Sequence, residues 1–361
     1  MRLQTTWGLP SLLLLAAGVA GTRDPTHSSL PVRLVHQFPN PTYIDDVRVA
    51  SNGDVLVTTM VPSASIFSIR GAASAKKPTV RLLHTFSEIN YVSGIIETQP
   101  GVFAFIGGNQ STVGVGANGT FGIWEIDIRA SEPVIREIVH IPESGYLLGV
   151  DALPGKPNTI LVSDGANCLV WKVDTLTGQY EVAVQDPNMR YPRWKFTPQG
   201  IDGIRVHKGY LYWGNSYIGC IYRIPIGDDG KAIPGAKSEL VTEITTIFLD
   251  KFDMGPIGSD FVWATTNEGN RLFAVTPDGK HSVVAGAPDQ MTLAGCTAAA
   301  FGKLKGDLNT LYVVTAGGLG LPVNGTITEG GKVVAVDTTR FVSSHKTSTG
   351  ANEYLELRKH S

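Results

Sequence analysis

The chain has 361 residues, 17% of them charged, a formal net charge of −2 and 41 glycines. Near-neutral charge with scattered Lys and Arg leaves no electrostatic footprint for nucleic acid, and three cysteines (Cys168, Cys220 and Cys296) are too few for a disulfide scaffold. The length suits one large all-β domain better than two independent ones, with glycine serving turns and bulges.

The first element in chain order is an apolar run over residues 9–20, preceded by Arg2 and ending in small residues. It reads as a secretory signal over residues 1–20, too short for a membrane span, which leaves no span once it is removed. Sequons at Asn109, Asn118 and Asn324 agree with glycosylation on that route. The expected location is the secretory pathway or outside the cell.

From residue 21 to 341 the chain repeats itself. Residues 32–38 read VRLVHQF and residues 80–86 read VRLLHTF. A short apolar strand begins at Val55, Val102, Ile160, Leu211, Val262 and Leu311, at spacings of 47, 58, 51, 51 and 49 residues. Each is followed by another strand with period-two alternation, beginning at Ile66, Ile123, Leu169, Ile221, Leu272 and Val333. An outer strand follows in five units, and the sixth lacks one. Repeats of this length in short strands predict a six-bladed β-propeller. The spare strand at 32–38 is expected to complete the last blade beside residues 332–338, closing the ring and removing its open edges. Residues 342–361 read as a polar tail.

The innermost strands of such a ring start around one mouth of the channel, where side chains from every blade converge. Counting back nine residues from each reference strand lands on Asp46, Asp151, Asp202 and Asp253, and on Ser93 in the second unit; in the sixth the longer turn KLKGDLN breaks the count, and residues 295–298 are the better match. Recurrent aspartates at such a place either brace backbone N–H groups in tight loops or ring the mouth with Tyr43, Asp45, Tyr91, Tyr146, Gln199, Asn215 and Asp250. Converging carboxylates repel unless a cation, a proton or donors compensate. A calcium site with hard oxygen ligands is one solution.

Residues 189–196 (MRYPRWKF) form either a lid that stacks on an unsaturated ligand or an ordinary connecting loop. His36, His84 and His140 end outer strands, a surface position. Cys168 and Cys220 occupy matching places before neighbouring third strands, as separate thiols or as a bridge.

The runs QGIDGIRVHKGYLYWGNSYIGCIYRIPI, FVWATTNEGNRLFAVTPDGKHSVVAG and AGCTAAAFGKLKGDLNTLYVVTAGG resemble the SMP-30/gluconolactonase-like six-bladed propellers, nearest the secreted fungal branch. For the lactonases this implies a divalent cation such as Ca2+ on Asp45 or Asp46, Asp202 and Asp250, where the family uses Glu, Asn and Asp. Only the last keeps its residue type. The same branch includes the hetero-Diels–Alderases of tropolone-sesquiterpenoid pathways. That resemblance implies a small-molecule polyketide or terpenoid substrate and no cofactor. An o-quinone methide would meet a humulene-type alkene near Tyr43, Tyr91, Tyr146 and Trp194, with Lys195, Gln199 or Asn215 as polar partners. A metal-dependent lactonase and a non-catalytic binding propeller are the other readings. Oligomeric state is left open.

Overall fold

The computed structural model describes residues 29–74, 77–192 and 197–345. The expected signal segment, Trp194, Lys195 and residues 346–361 lie outside them. Six four-stranded antiparallel sheets form the six blades of a β-propeller. From the axis outward, blade I is Tyr43–Val49, Val55–Val61, Ser65–Arg70 and Thr79–Thr85. Blade II is Tyr91–Gln99, Val102–Gly108, Gly122–Asp127 and Val134–His140. Blade III is Leu147–Ala152, Thr159–Asp164, Leu169–Asp174 and Tyr180–Val184. Blade IV is Ile201–His207, Tyr210–Asn215, Cys220–Pro225 and Glu239–Glu243. Blade V is Phe252–Met254, Val262–Thr266, Arg271–Val275 and His281–Gly286. Blade VI is Cys296–Phe301, Thr310–Thr315, Lys332–Asp337 and, as its outer strand, Val32–Gln37.

The N-terminal strand therefore closes the ring as its sequence predicts, pairing antiparallel with Lys332–Asp337 from Val32↔Val336 to Gln37↔Lys332. The expected boundary at 341 is less clean. A helix over Thr339–His345 runs across it, because Phe341 and Val342 are buried. The Phe341 ring meets Trp263 at 5.3 Å and Phe261 at 5.5 Å, so the helix plugs an apolar gap at one end of blades V and VI.

Between blades no sheet hydrogen bonds are available, and packing does most of the work. Trp213, Trp263, Phe103, Phe105 and Tyr312 are fully buried, each such side chain contributing ~1.5–3 kcal/mol by leaving water. Near the axis, hydroxyls stitch neighbouring inner strands. Ser93 Oγ donates to Leu148 O at 2.9 Å, Ser163 Oγ to Asp202 O at 2.6 Å, and Thr297 Oγ1 to Ile44 O at 2.9 Å. Gly149 and Gly203 permit the close approach: a Cβ would stand 2.7 Å from Asp202 O and 2.8 Å from the Lys251 Cα, respectively.

All three cysteines are free and buried, so no bridge joins Cys168 to Cys220. Asn118 and Asn324 are exposed and Asn109 is half-buried. Among the described residues, no helix is long and apolar enough to cross a membrane.

Candidate functional site at the upper end of the channel

Inner strands run downward from the mouth and second strands return to it, so strand-one starts and strand-two ends share the upper end. The structure brings Tyr43, Asp45, Asp202, Asp250 and Lys251 together there with Ser93, Gln199, Ser216 and Asn267. All are buried.

Lys251 organises the group. Its Nζ donates to Asp45 Oδ2 at 2.9 Å and to Asp45 O at 3.3 Å, and lies 3.9 Å from Asp250 Oδ1. Burial favours the neutral amine, but Asp45, Asp250 and Asp202 outweigh it and hold the ammonium well above its usual range. Ser93 Oγ also donates to Asp45 Oδ2. Asp202 Oδ2 accepts from Gln199 Nε2 at 2.8 Å and Ser216 Oγ at 3.1 Å. Burial, opposed by the Lys251 ammonium and reinforced by Asp45, pushes the Asp202 carboxyl up to about 6. Burial and the Asp202 charge push Asp250 well up. Asn267 Nδ2 donates to both Asp250 Oδ2 and the Tyr43 hydroxyl, each at 2.8 Å.

An apolar wall faces this polar group. Tyr43, Met60, Tyr91, Phe121, Tyr146, Leu148 and Ala316 belong to one packed cluster, with Val61 and Leu319 against it. The Tyr91 ring lies tilted against Tyr146, with centroids 5.3 Å apart, and its hydroxyl donates to Leu147 O at 3.0 Å. Burial, before any charge effect, raises both phenols, so they stay protonated. Buried oxygens at this end without a partner among the described residues include Asp202 Oδ1, Asn215 Oδ1, Asn267 Oδ1 and Gln110 Oε1. Buried polar atoms are normally satisfied, so unpaired ones at a mouth are where ligand or water is to be sought.

The recurrent aspartates do not share one level. Across the inner hairpins the matched positions are Arg48↔Leu56, Asp151↔Leu161, Arg205↔Tyr212 and Asp253↔Trp263. Counting failed because the connections differ in length: His207 pairs Tyr210 across a two-residue turn, whereas Ala152 pairs Ile160. Asp46, Asp151 and Asp253 are braces, accepting backbone N–H from Ile95, Val206 and Phe301 of the following blades at 3.0, 2.8 and 2.9 Å. Asp202 alone of the four belongs to the mouth. Asn215 turns its amide toward the connecting loop, donating to Asn188 O at 3.0 Å and Arg190 O at 2.8 Å. Lys251 and Asn267 were missed in the sequence.

The donor set implied for a lactonase metal is rearranged. Asp46 faces Ile95, and Lys251 places an ammonium between Asp45 and Asp250. Among the described residues, no group of three or more His, Cys, Asp or Glu side chains is set to hold a metal ion. With an ammonium already seated there, this cluster does not fit a divalent cation.

No family profile matches the sequence. The chain is 33% identical over 307 residues to the "Putative hetero-Diels-Alderase" of Phoma sp, covering 79% of this chain and 86% of that protein. The chain belongs to the hetero-Diels–Alderase family. The similarly named asR5 of Sarocladium schorii is 28% identical over 353 residues, covering 89% of this chain and 87% of that one. Solved structures share the propeller fold at low identity. A luciferin-regenerating enzyme matches with a TM-score of 0.60 and 13% identity, over 85% of this chain and 95% of that one. The calcium-binding regucalcin of Agrobacterium tumefaciens matches with a TM-score of 0.55 and 13% identity, over 85% and 93%. These likenesses show the propeller fold alone, and the activity is argued separately.

Proposed function

We propose that this enzyme joins an o-quinone methide, derived from a tropolone or phenol, to a humulene-type sesquiterpene alkene at the upper end of the channel. The observation that carries this reading is the division of the mouth into a polar group with unpaired oxygens and an aromatic, apolar wall. In the addition one C–C and one C–O bond form, two π bonds are consumed, the ring regains aromatic character, and no leaving group or net proton transfer is required. The protein's task is to hold heterodiene and alkene in one relative orientation, an effect that reaches ~7–11 kcal/mol at best. A hydrogen bond to the heterodiene oxygen stabilises charge that grows there in the transition state, and a dry apolar wall limits hydration of the quinone methide.

The test mixes purified protein with an o-quinone methide generated in situ and humulene. One stereoisomer enriched over the protein-free product mixture is expected; an unchanged product ratio rejects the reading. Passage through the secretory pathway is part of the proposal, supported by the apolar segment at residues 9–20 and the exposure of Asn118 and Asn324. A mass loss on peptide N-glycosidase treatment checks it.

A further inference from the structure

Asn267 joins the two walls of the mouth. Its Nδ2 donates to Asp250 Oδ2 and to the Tyr43 hydroxyl oxygen, each at 2.8 Å, which fixes both the amide plane and the side of the phenol that accepts. The Tyr43 proton must therefore point away from Asn267, and among the described residues no acceptor receives it. Burial, then the charges of Asp250 and Asp45, raise this phenol well above its ordinary value, so the proton stays on. The other end of the amide is equally unspent. Asn267 Oδ1 is buried and has no partner among the described residues. Two glycines border it: a Cβ on Gly295 or Gly320 would stand 3.5 or 3.6 Å from that oxygen. A free O–H donor and a free carbonyl acceptor thus sit one hydrogen bond apart, both more than nine-tenths buried.

We propose that Tyr43 and Asn267 form a donor–acceptor pair that reads a carbonyl beside a hydroxyl on the substrate ring. Tyr43 is the catalytic hydrogen-bond donor to the heterodiene oxygen, and Asn267 is its positioning residue and the acceptor for the adjacent hydroxyl. This rests on the cyclase reading and adds to it the residues that select the ring and fix which way it faces. During addition the Tyr43 O–H remains bonded to its own oxygen; it follows the charge on the substrate oxygen and transfers no proton. A donor whose acceptor gains charge only in the transition state acts on kcat more than on KM.

Two measurements separate this pair from the reaction as a whole. Calorimetric titration uses tropolone, a stable ring with both groups, and 2-methoxytropone, which lacks the hydroxyl proton. Wild type should bind tropolone about tenfold more tightly than the ether, the scale of one buried hydrogen bond. Asn267→Leu should erase that difference, and Tyr43→Phe should weaken both ligands about tenfold. In the cyclisation assay Tyr43→Phe should lower kcat/KM by more than the tenfold loss of ring binding, the excess appearing in kcat. Wild type that binds neither ring, or variants that bind both as wild type does, overturn the proposal even where wild type cyclises selectively. Binding that depends on Tyr43 without any selective cyclisation keeps the recognition pair and removes its catalytic role together with the cyclase reading. Tyr43→Phe keeps the ring and its packing, so the test stands if Asn267→Leu fails to fold.

Discussion

The two ends of the channel are built from the same residue types to opposite effect. At the lower end every blade is tied to another by charge-assisted bonds. Arg48 of blade I donates to Asp151 of blade III at 3.2 Å, and Arg205 of blade IV to Asp253 of blade V at 2.8 Å. Lys303 of blade VI donates to Glu97 of blade II at 3.2 Å, and Glu97 also accepts from Ser51 N of blade I at 2.7 Å. None of these side chains carries an unpaired buried polar atom among the described residues. The upper end holds Asp45, Asp202 and Asp250 around the ammonium of Lys251 and leaves buried oxygens, Asp202 Oδ1 and Asn267 Oδ1 among them, without a partner among the described residues. Satisfied charge braces a fold; charge left in excess beside open hydrogen-bonding atoms maintains a site.

If that contrast holds, the largest loss of stability should follow removal of the cation at the centre of the upper end. Lys251→Met leaves Asp45, Asp202 and Asp250 without compensation, and breaking a buried pair in this way costs ~3–5 kcal/mol. Urea denaturation at pH 7 measures it. Part of the loss should return at pH 5, where the carboxyls can take up protons. A variant as stable as wild type at both values would mean that Lys251 is a bystander.

The lower belt predicts a smaller loss without a functional one. Arg205→Met strips Asp253 of its ion pair but leaves Phe301 N bonded to that carboxylate, so ~2–3 kcal/mol is expected. Product ratio per folded molecule should match wild type. A change in product ratio with stability intact would move the functional site, or part of it, to the wrong end of the channel for the present reading.

How much of this was legible beforehand follows from what periodicity measures. The pairing of residues 32–37 with 332–337 could be read because strand sequences repeat where packing repeats. The level of each aspartate could not, because hairpin turns of unequal length shift the count while leaving the strand pattern intact. Tyr43, Asp45, Gln199 and Asp250 were found at strand-one starts. Asn267 escaped because it follows a strand-two end, yet those ends return to the same mouth and the same counting would have reached them. Lys251 escaped because attention to converging carboxylates looked outside the chain for their cation, one residue away from Asp250.

The smallest expected effect is also the finest probe of the contrast, because it alters charge without altering shape. Asp202 is buried, and its folded-state value of about 6 lies above the ordinary 3.8 of an exposed aspartic acid. The native state therefore binds this proton more tightly than the unfolded chain does. That contribution to stability is fully present below about pH 4 and is lost as pH rises through about 6. Asp250 beside it titrates jointly and spreads the effect, so ~1–2 kcal/mol is expected across this window. Asp202→Asn keeps an oxygen to accept from Gln199 and Ser216 and cannot ionise. Its stability relative to wild type should rise from pH 4 to pH 7 by that amount in paired urea titrations. Parallel curves for the two proteins would place the Asp202 charge in balance, like the charges of the lower belt, and the excess that marks the upper end as the site would have to be sought on Asp250.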